Sequence, residues 1–258
     1  MRAVVFERYG EQAEVREVPD PRPAEHGVVV RVEATGLCRS DWHGWMGHDP
    51  DITLPHVPGH ELAGVVEEVG ARVTGWRPGD RVHGCGGVGL SAVMIAAASG
   101  ARVVAVDVSP RALELARAFG AAQCVDGTAT PDTAAAVREL TGGGAHLSLD
   151  ALGSPATCAA SVAGLRRRGR HVQVGLLPSA DGTTPVPMAR VIALELEILG
   201  SHGMAAHTYP PMLEAVRSGA LRPDLLVTST ITLDAVPDAL AAMGTAPGAG
   251  VTVIEPWS

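Results

Sequence analysis

The sequence predicts an α/β fold in two parts: a β-rich region over residues 1–82, then a doubly wound parallel sheet with crossover helices. Three observations predict it. The hydrophobic pattern changes character near residue 83, hydroxyl-proline pairs recur at helix starts, and a glycine-rich hexapeptide joins a short strand to an apolar helix.

In the first part, Val28-Val29-Val30-Arg31-Val32 and Ala63-Gly64-Val65-Val66-Glu67-Glu68-Val69 are short β-branched runs separated by Pro and Gly. From residue 84 to about 205, apolar strands of four to six residues alternate with Ala-rich helical segments. Ser109-Pro110, Thr130-Pro131 and Ser154-Pro155 each place an N-cap hydroxyl before a proline at the first helical position. Gly120 and Gly142 stand where two of those helices should stop. Leu225-Leu226-Val227-Thr228 and Val251-Thr252-Val253-Ile254 are the last strand candidates.

Composition narrows the function. The chain has 258 residues, 46% of them hydrophobic, and a formal net charge of −8, which disfavours a phosphate backbone as partner and predicts no nucleic-acid role. No apolar run approaches the roughly 18 residues that span a bilayer, and the first residues lack a signal-peptide core, so the expectation is a cytoplasmic protein without a membrane partner. Cys38, Cys85, Cys124 and Cys158 are scattered, which fits neither a disulfide framework nor a four-cysteine structural zinc. Lysine is absent, so neither Tyr9 nor Tyr209 can belong to the Tyr-x-x-x-Lys pair of a short-chain reductase.

Gly84-Cys85-Gly86-Gly87-Val88-Gly89 matches Gly-x-Gly-x-x-Gly and opens a helix from Leu90 to Ser99. Its glycines would let backbone approach a pyrophosphate whose charge meets the helix N-terminus. The next strand, Arg102-Val103-Val104-Ala105-Val106-Asp107, ends in a carboxylate placed to accept hydrogen bonds from an adenosine ribose. An acid there repels a 2′-phosphate, favouring NAD over NADP. The strand before Gly84, Arg81-Val82-His83, is shorter than a central strand should be.

Cys38, His43, His48, His56 and His60, followed by Glu61, crowd into one segment. A thiolate and an imidazole suit zinc, and a catalytic site needs three protein ligands and an open position. The alternative is a set of surface histidines with Cys38 as a small buried apolar residue. Trp42, Trp45 and Met46 beside it are candidates for lining a substrate pocket or for loop packing.

Gly36-Leu37-Cys38-Arg39-Ser40-Asp41-Trp42-His43 and Gly59-His60-Glu61-Leu62-Ala63-Gly64-Val65-Val66-Glu67-Glu68-Val69-Gly70 resemble the zinc-dependent alcohol dehydrogenases of the medium-chain dehydrogenase/reductase family. The glycine turn and Asp107 resemble that family's nucleotide-binding half. The resemblance implies a Rossmann-type sheet over residues 83–225, with residues 1–82 as an incomplete GroES-like catalytic domain to which 226–258 return. It implies Cys38 and His60 as ligands of a catalytic zinc, with Glu61 behind the metal, able to exchange with bound water. Asp41 would orient His60, while Ser40 and His43 would relay the alcohol proton. Gly84, Gly86, Gly87, Val88, Gly89, Asp107, Arg111, Val174, Gly175, Leu176 and Ser201 would grip NAD. The implied reaction moves a hydride between an alcohol and NAD, giving an aldehyde or ketone, in an enzyme that is usually a homo-oligomer.

The sequence departs from the family after Pro78-Gly79-Asp80-Arg81-Val82, where a long stretch is absent and His83-Gly84 follows at once. That stretch carries the family's structural-zinc lobe, third catalytic ligand and linking helices. One short segment must then serve both as a barrel strand and as the first strand of the parallel sheet. Weaker metal binding follows unless His43, His56 or Asp41 moves in. Two other readings are a non-catalytic NAD-binding remnant and a zinc-free quinone reductase of the same superfamily. Leu165-Arg166-Arg167-Arg168-Gly169-Arg170 reads as a solvated helix-to-strand turn rather than an anion site.

Overall fold

In a computed structural model, which describes residues 1–83, 88–177, 183–245 and 248–258, the β-branched runs pair as strands and the Ala-rich segments coil into helices. In chain order the elements begin with β1 (Arg2–Val5), β2 (Glu14–Glu17), β3 (Val28–Leu37), α1 (Arg39–Trp45), β4 (Leu62–Val69) and β5 (Arg81–His83). Next come α2 (Val88–Ala98), β6 (Val104–Asp107), α3 (Pro110–Ala118), β7 (Gln123–Asp126), α4 (Thr133–Leu140), β8 (Ala145–Asp150), α5 (Pro155–Ala163), β9 (Leu165–Gln173), α6 (Met188–Leu194), β10 (Glu197–Gly200) and α7 (Tyr209–Arg217). The chain closes with β11 (Val227–Thr232), α8 (Val236–Ala242) and β12 (Val251–Glu255). It divides into two compact units, Met1–Gly87 with Leu225–Ser258, and Val88–Asp224.

The first unit carries a five-stranded sheet in the order β11-β12-β3-β4-β5. β12 returns from the end of the chain to pair antiparallel with β3, placing Thr252 opposite Leu37 and so bracing the strand that leads into Cys38. β3 and β4 pair antiparallel with Val32 opposite Gly64. Val4, Phe6, Ala13, Leu37, Trp45, Val236, Leu240 and Ile254 form the core under this sheet. Phe6 is almost wholly buried, a gain of about 1.5–3 kcal/mol for a side chain of that size. Trp45 is therefore a core residue, which decides its role in favour of loop packing; Met46 is exposed.

The second unit is built from parallel pairs, β6 with β7 and β8 with β9 with β10. In a doubly wound sheet the first strand lies between the second and the fourth. Here β6 and β8 stand in those two positions, each paired on one side. Among the described residues no strand pairs with their other edges. Arg81–His83 cannot fill that place, because it is committed antiparallel to β4, with Val82 opposite Gly64. The double duty expected of this segment is thus settled in favour of the first unit. Val106 on β6 and Leu147 on β8 are also exposed, Leu147 to 58%, although each lies on a strand of a parallel sheet.

Ser109 and Ser154 cap α3 and α5 with proline in the first turn, as expected, and Gly120 and Gly142 follow the ends of α3 and α4 with positive φ. Thr130-Pro131 does not start a helix. Asp132 caps α4 instead, accepting from the Ala135 amide, because a carboxylate two residues later competes better for the free amides of the first turn. Leu225 and Leu226 lie in a 3₁₀ turn, and the strand begins only at Val227. The arginine-rich run lies inside β9 as an irregularity in its pairing with β8, Arg168 taking φ 57°. Its four arginines are exposed, Arg167 pairing with Glu195, Arg170 with Glu197 and Arg166 meeting His146, so the run is a solvated bulge. Among the described residues no helix is long and apolar enough to cross a membrane.

Candidate functional site

Local hydrogen bonding assembles the first cluster. Cys38 is the N-cap of α1: its Sγ accepts from the Ser40 amide at 3.3 Å, and the Asp41 Oδ2 accepts from the Cys38 amide at 2.9 Å. The reciprocal bonds fix Cys38 and Asp41 on one turn. The loop before β4 is tied to the same turn. Gly59 donates its amide to Asp41 Oδ1 at 3.1 Å, and His60 Nδ1 lies 3.2 Å from that oxygen. His60 Nε2 is left facing Cys38 Sγ at 3.3 Å. Glu61 is anchored through its carbonyl, which accepts from Gly36 N at 2.7 Å and Thr35 Oγ1 at 2.9 Å.

The Cys38 sulfur, an Asp41 oxygen and a His60 nitrogen lie within 4.8 Å of one another, and neither His43 nor His56 joins the group. Asp41 is only 3% exposed, with both oxygens already engaged by Cys38, Gly59 and His60. It leaves Nε2 of His60 as the donor nitrogen. The remaining pair fits zinc: bond lengths near 2.3 Å to sulfur and 2.0–2.1 Å to nitrogen, at a tetrahedral angle, separate S and N by about 3.5 Å. The observed 3.3 Å is close to that. A Glu61 oxygen lies 4.0 Å from His60 Nε2, with the side chain 12% exposed.

The electrostatics follow from the packing. The hydrogen bond to Asp41, then that to Cys38, push the His60 pKa up to about 11, despite desolvation. Burial raises Glu61 above its ordinary carboxylate range. His43 is buried and pushed down to about 4, first by desolvation and then by the positive fields of His48 and Arg39. Ser40 is exposed on the first turn of α1. Arg39 is a residue that the sequence reading passed over. It stacks 4.2 Å over the Trp42 ring and donates to the Met243 carbonyl, yet its buried Nε has no acceptor. Its adjacency to Cys38 was the available signal.

In the second unit the described nucleotide-site candidates gather at the carboxyl ends of parallel strands, where open α/β sheets take ligands. Asp107 ends β6 exposed, one oxygen accepting from the Ser109 amide at 2.8 Å. Val174, Gly175 and Leu176 follow β9, with the Val174 and Gly175 amides donating to the Asp150 carbonyl at 3.0 and 2.9 Å. Gly153 packs backbone to backbone against Leu176 at φ 79°, where a Cβ would collide with the Leu176 carbonyl. Ser201 follows β10 and donates its amide to the Gln173 carbonyl at 2.9 Å. Val88 and Gly89 open α2 with Gly89 close to Ala151. Arg111 is exposed and paired with Glu114 at 3.1 Å. Gly84, Gly86 and Gly87 lie outside the described residues.

These observations define a class: a two-unit α/β protein with a Cys-Asp-His cluster that could hold a metal in one unit and parallel strands ending in an exposed aspartate and glycine turns in the other. Residues 24–106 match the alcohol dehydrogenase GroES-like domain, and residues 87–218 match the zinc-binding dehydrogenase domain. The chain is 30% identical to alcohol dehydrogenase 2 of Caenorhabditis elegans, an alignment covering 77% of this chain and 81% of that one. It is 24% identical to an NAD-dependent alcohol dehydrogenase of Sulfurisphaera tokodaii, covering 99% and 100%. That alignment runs over 353 positions, although this chain has 258 residues, so it passes many positions this chain lacks. A crystal structure of an NAD-dependent alcohol dehydrogenase superimposes with TM-score 0.85 at 26% identity, covering 99% of this chain and 100% of its own. The chain belongs to the zinc-type medium-chain dehydrogenase/reductase family and is an alcohol dehydrogenase-type oxidoreductase.

Proposed function

We propose that this chain binds one catalytic zinc and NAD and transfers a hydride between a small alcohol and NAD, giving an aldehyde or ketone. The observation that carries the reading is the Cys38 Sγ and His60 Nε2 pair, 3.3 Å apart with Asp41 holding the far side of the imidazole. Zinc, when bound, supplies Lewis-acid polarisation of an alcohol oxygen, and NAD accepts the hydride.

The chain's own residues do the rest. Cys38 and His60 would hold the metal, with Asp41 fixing the imidazole through Nδ1 and leaving Nε2 as the ligand atom. Glu61 keeps a carboxylate in reserve behind the pair. Ser40 and His43 carry the alcohol proton away from the reacting oxygen, His43 as a buried ring that is neutral at pH 7 and so able to accept it. Asp107 accepts from the adenosine ribose, Val88 and Gly89 with the preceding glycines receive the pyrophosphate, and Val174 to Leu176 with Ser201 bind the nicotinamide end.

The test is elemental analysis of the purified chain, together with NADH formation from simple alcohols before and after chelation. The expected result is about one zinc per chain and turnover that stops when a chelator removes it. A chain that stays metal-free after zinc supplementation overturns the reading.

A further inference from the structure

α1 ends in a turn with an unusual passenger. The Gly47 amide donates to the Gly44 carbonyl at 3.1 Å, the His48 amide donates to the His43 carbonyl at 2.9 Å, and Gly47 takes φ 75°. This is the Schellman arrangement, in which the residue after the left-handed glycine is folded back over the residue five positions earlier. That contact is commonly hydrophobic. Here both positions are histidine, and their Nδ1 atoms meet at 2.9 Å. Trp42 presses edge-on against both rings, at 5.0 and 5.5 Å between centroids. His43 is buried, whereas His48 is exposed.

We propose that His48 is the outlet of the proton relay, taking each proton that reaches His43 and handing it to water. The inference rests on the reading of Ser40 and His43 as the relay. His43 Nδ1 is occupied by His48, and its Nε2 has no partner among the described residues, so Nε2 is the nitrogen that receives a proton from the site. As Nε2 gains that proton, Nδ1–H breaks and its proton passes along the 2.9 Å contact to the lone pair on His48 Nδ1. His48 then releases its own Nε2 proton to water. One proton enters and one leaves, and neither ring keeps a net charge. His43 is buried, with the Arg39 guanidinium nearby, so desolvation first and that positive charge next keep a proton from resting there. His48 is a proton-passing residue that acts through His43, joining the buried ring to an exposed one across the 2.9 Å contact.

The test compares the full chain with its His48→Gln variant. With ¹⁵N-histidine labelling, the solvent exchange rate of the His43 ring proton is measured by NMR, with neither alcohol nor cofactor present. The rate falls roughly tenfold or more in the variant, because glutamine can hydrogen-bond but cannot pass a proton on. A rate within twofold of the parent overturns the proposal. In zinc-loaded protein the same variant loses roughly tenfold in kcat in dilute, poorly proton-accepting buffer and recovers with added imidazole, which a merely structural role for His48 does not produce. Unchanged kcat also overturns it. A parent chain that makes no NADH with zinc bound sinks the dehydrogenase reading, and the exchange rates alone then decide the role of His48.

Discussion

Zinc uptake should expel a proton even in alkaline solution, and the number expelled reports the grip of Asp41 on His60. In the metal-free chain His60 holds its proton up to about pH 11. Zinc needs the same Nε2 lone pair, so binding must displace that proton. At pH 9.5 a histidine and a cysteine with ordinary values, near 6.5 and 8.5, are about 99.9% and 90% deprotonated, and would together release roughly 0.1 proton per zinc. The hydrogen-bonded pair described here releases close to one. Isothermal calorimetry in two buffers of different ionisation enthalpy, with zinc buffered by a weak chelator, counts the protons directly. Asp41→Asn removes the largest cause of the raised value, so its release at pH 9.5 falls well below that of the parent. Near-zero release from the parent at this pH would refute the geometry-based account of the cluster.

Four further outcomes follow from other sites. His43 has a folded pKa of about 4 against an ordinary 6.5. The folded chain therefore binds fewer protons between those values, and stability is full above pH 6.5 and lost as pH falls toward 4, by up to about 3 kcal/mol at 1.36 per unit. Urea melts of His43→Gln should show a flatter pH slope in that window, and an unchanged slope contradicts the assignment. Asp107→Gly should raise affinity for 2′,5′-ADP about tenfold, or 1.4 kcal/mol, by removing a like charge, as read by fluorescence titration. Gly153→Ala should cost about 2 kcal/mol or more in a urea melt, since a left-handed backbone and the Leu176 carbonyl both oppose a Cβ. Leu147→Lys should leave the circular dichroism spectrum unchanged while reducing light scattering of concentrated protein, because it places a charge on an open apolar strand.

Much of this architecture was legible in one-dimensional chemistry. Alternation and punctuation locate β3, β4 and β12, and serine-proline pairs locate two helix starts because a cap and a preset φ act locally. The Cys38 and His60 pair was legible from residue type; its Asp41 brace came through resemblance, and the capping bonds give it a local cause. What escaped has a common origin in competition between neighbours. Asp132 outbids Thr130 as a cap, Leu226 is drawn into a 3₁₀ turn with its side chain buried, and Arg81–His83 finds β4 rather than the parallel sheet. Arg39 went unremarked because its unpaired Nε is a property of burial, which no spacing reveals. The His43–His48 contact depends on a left-handed Gly47 that only the folded turn displays.

The open flanks of β6 and β8 bear on how the second unit comes apart. In a continuous parallel sheet the innermost strands exchange their amide hydrogens last, since their neighbours must separate first. Among the described residues those two strands have no partner on one edge, so deuterium should enter them early. The unit should accordingly unfold as two blocks, β6–β7 with α3 and β8–β10 with α5, rather than in a single cooperative step.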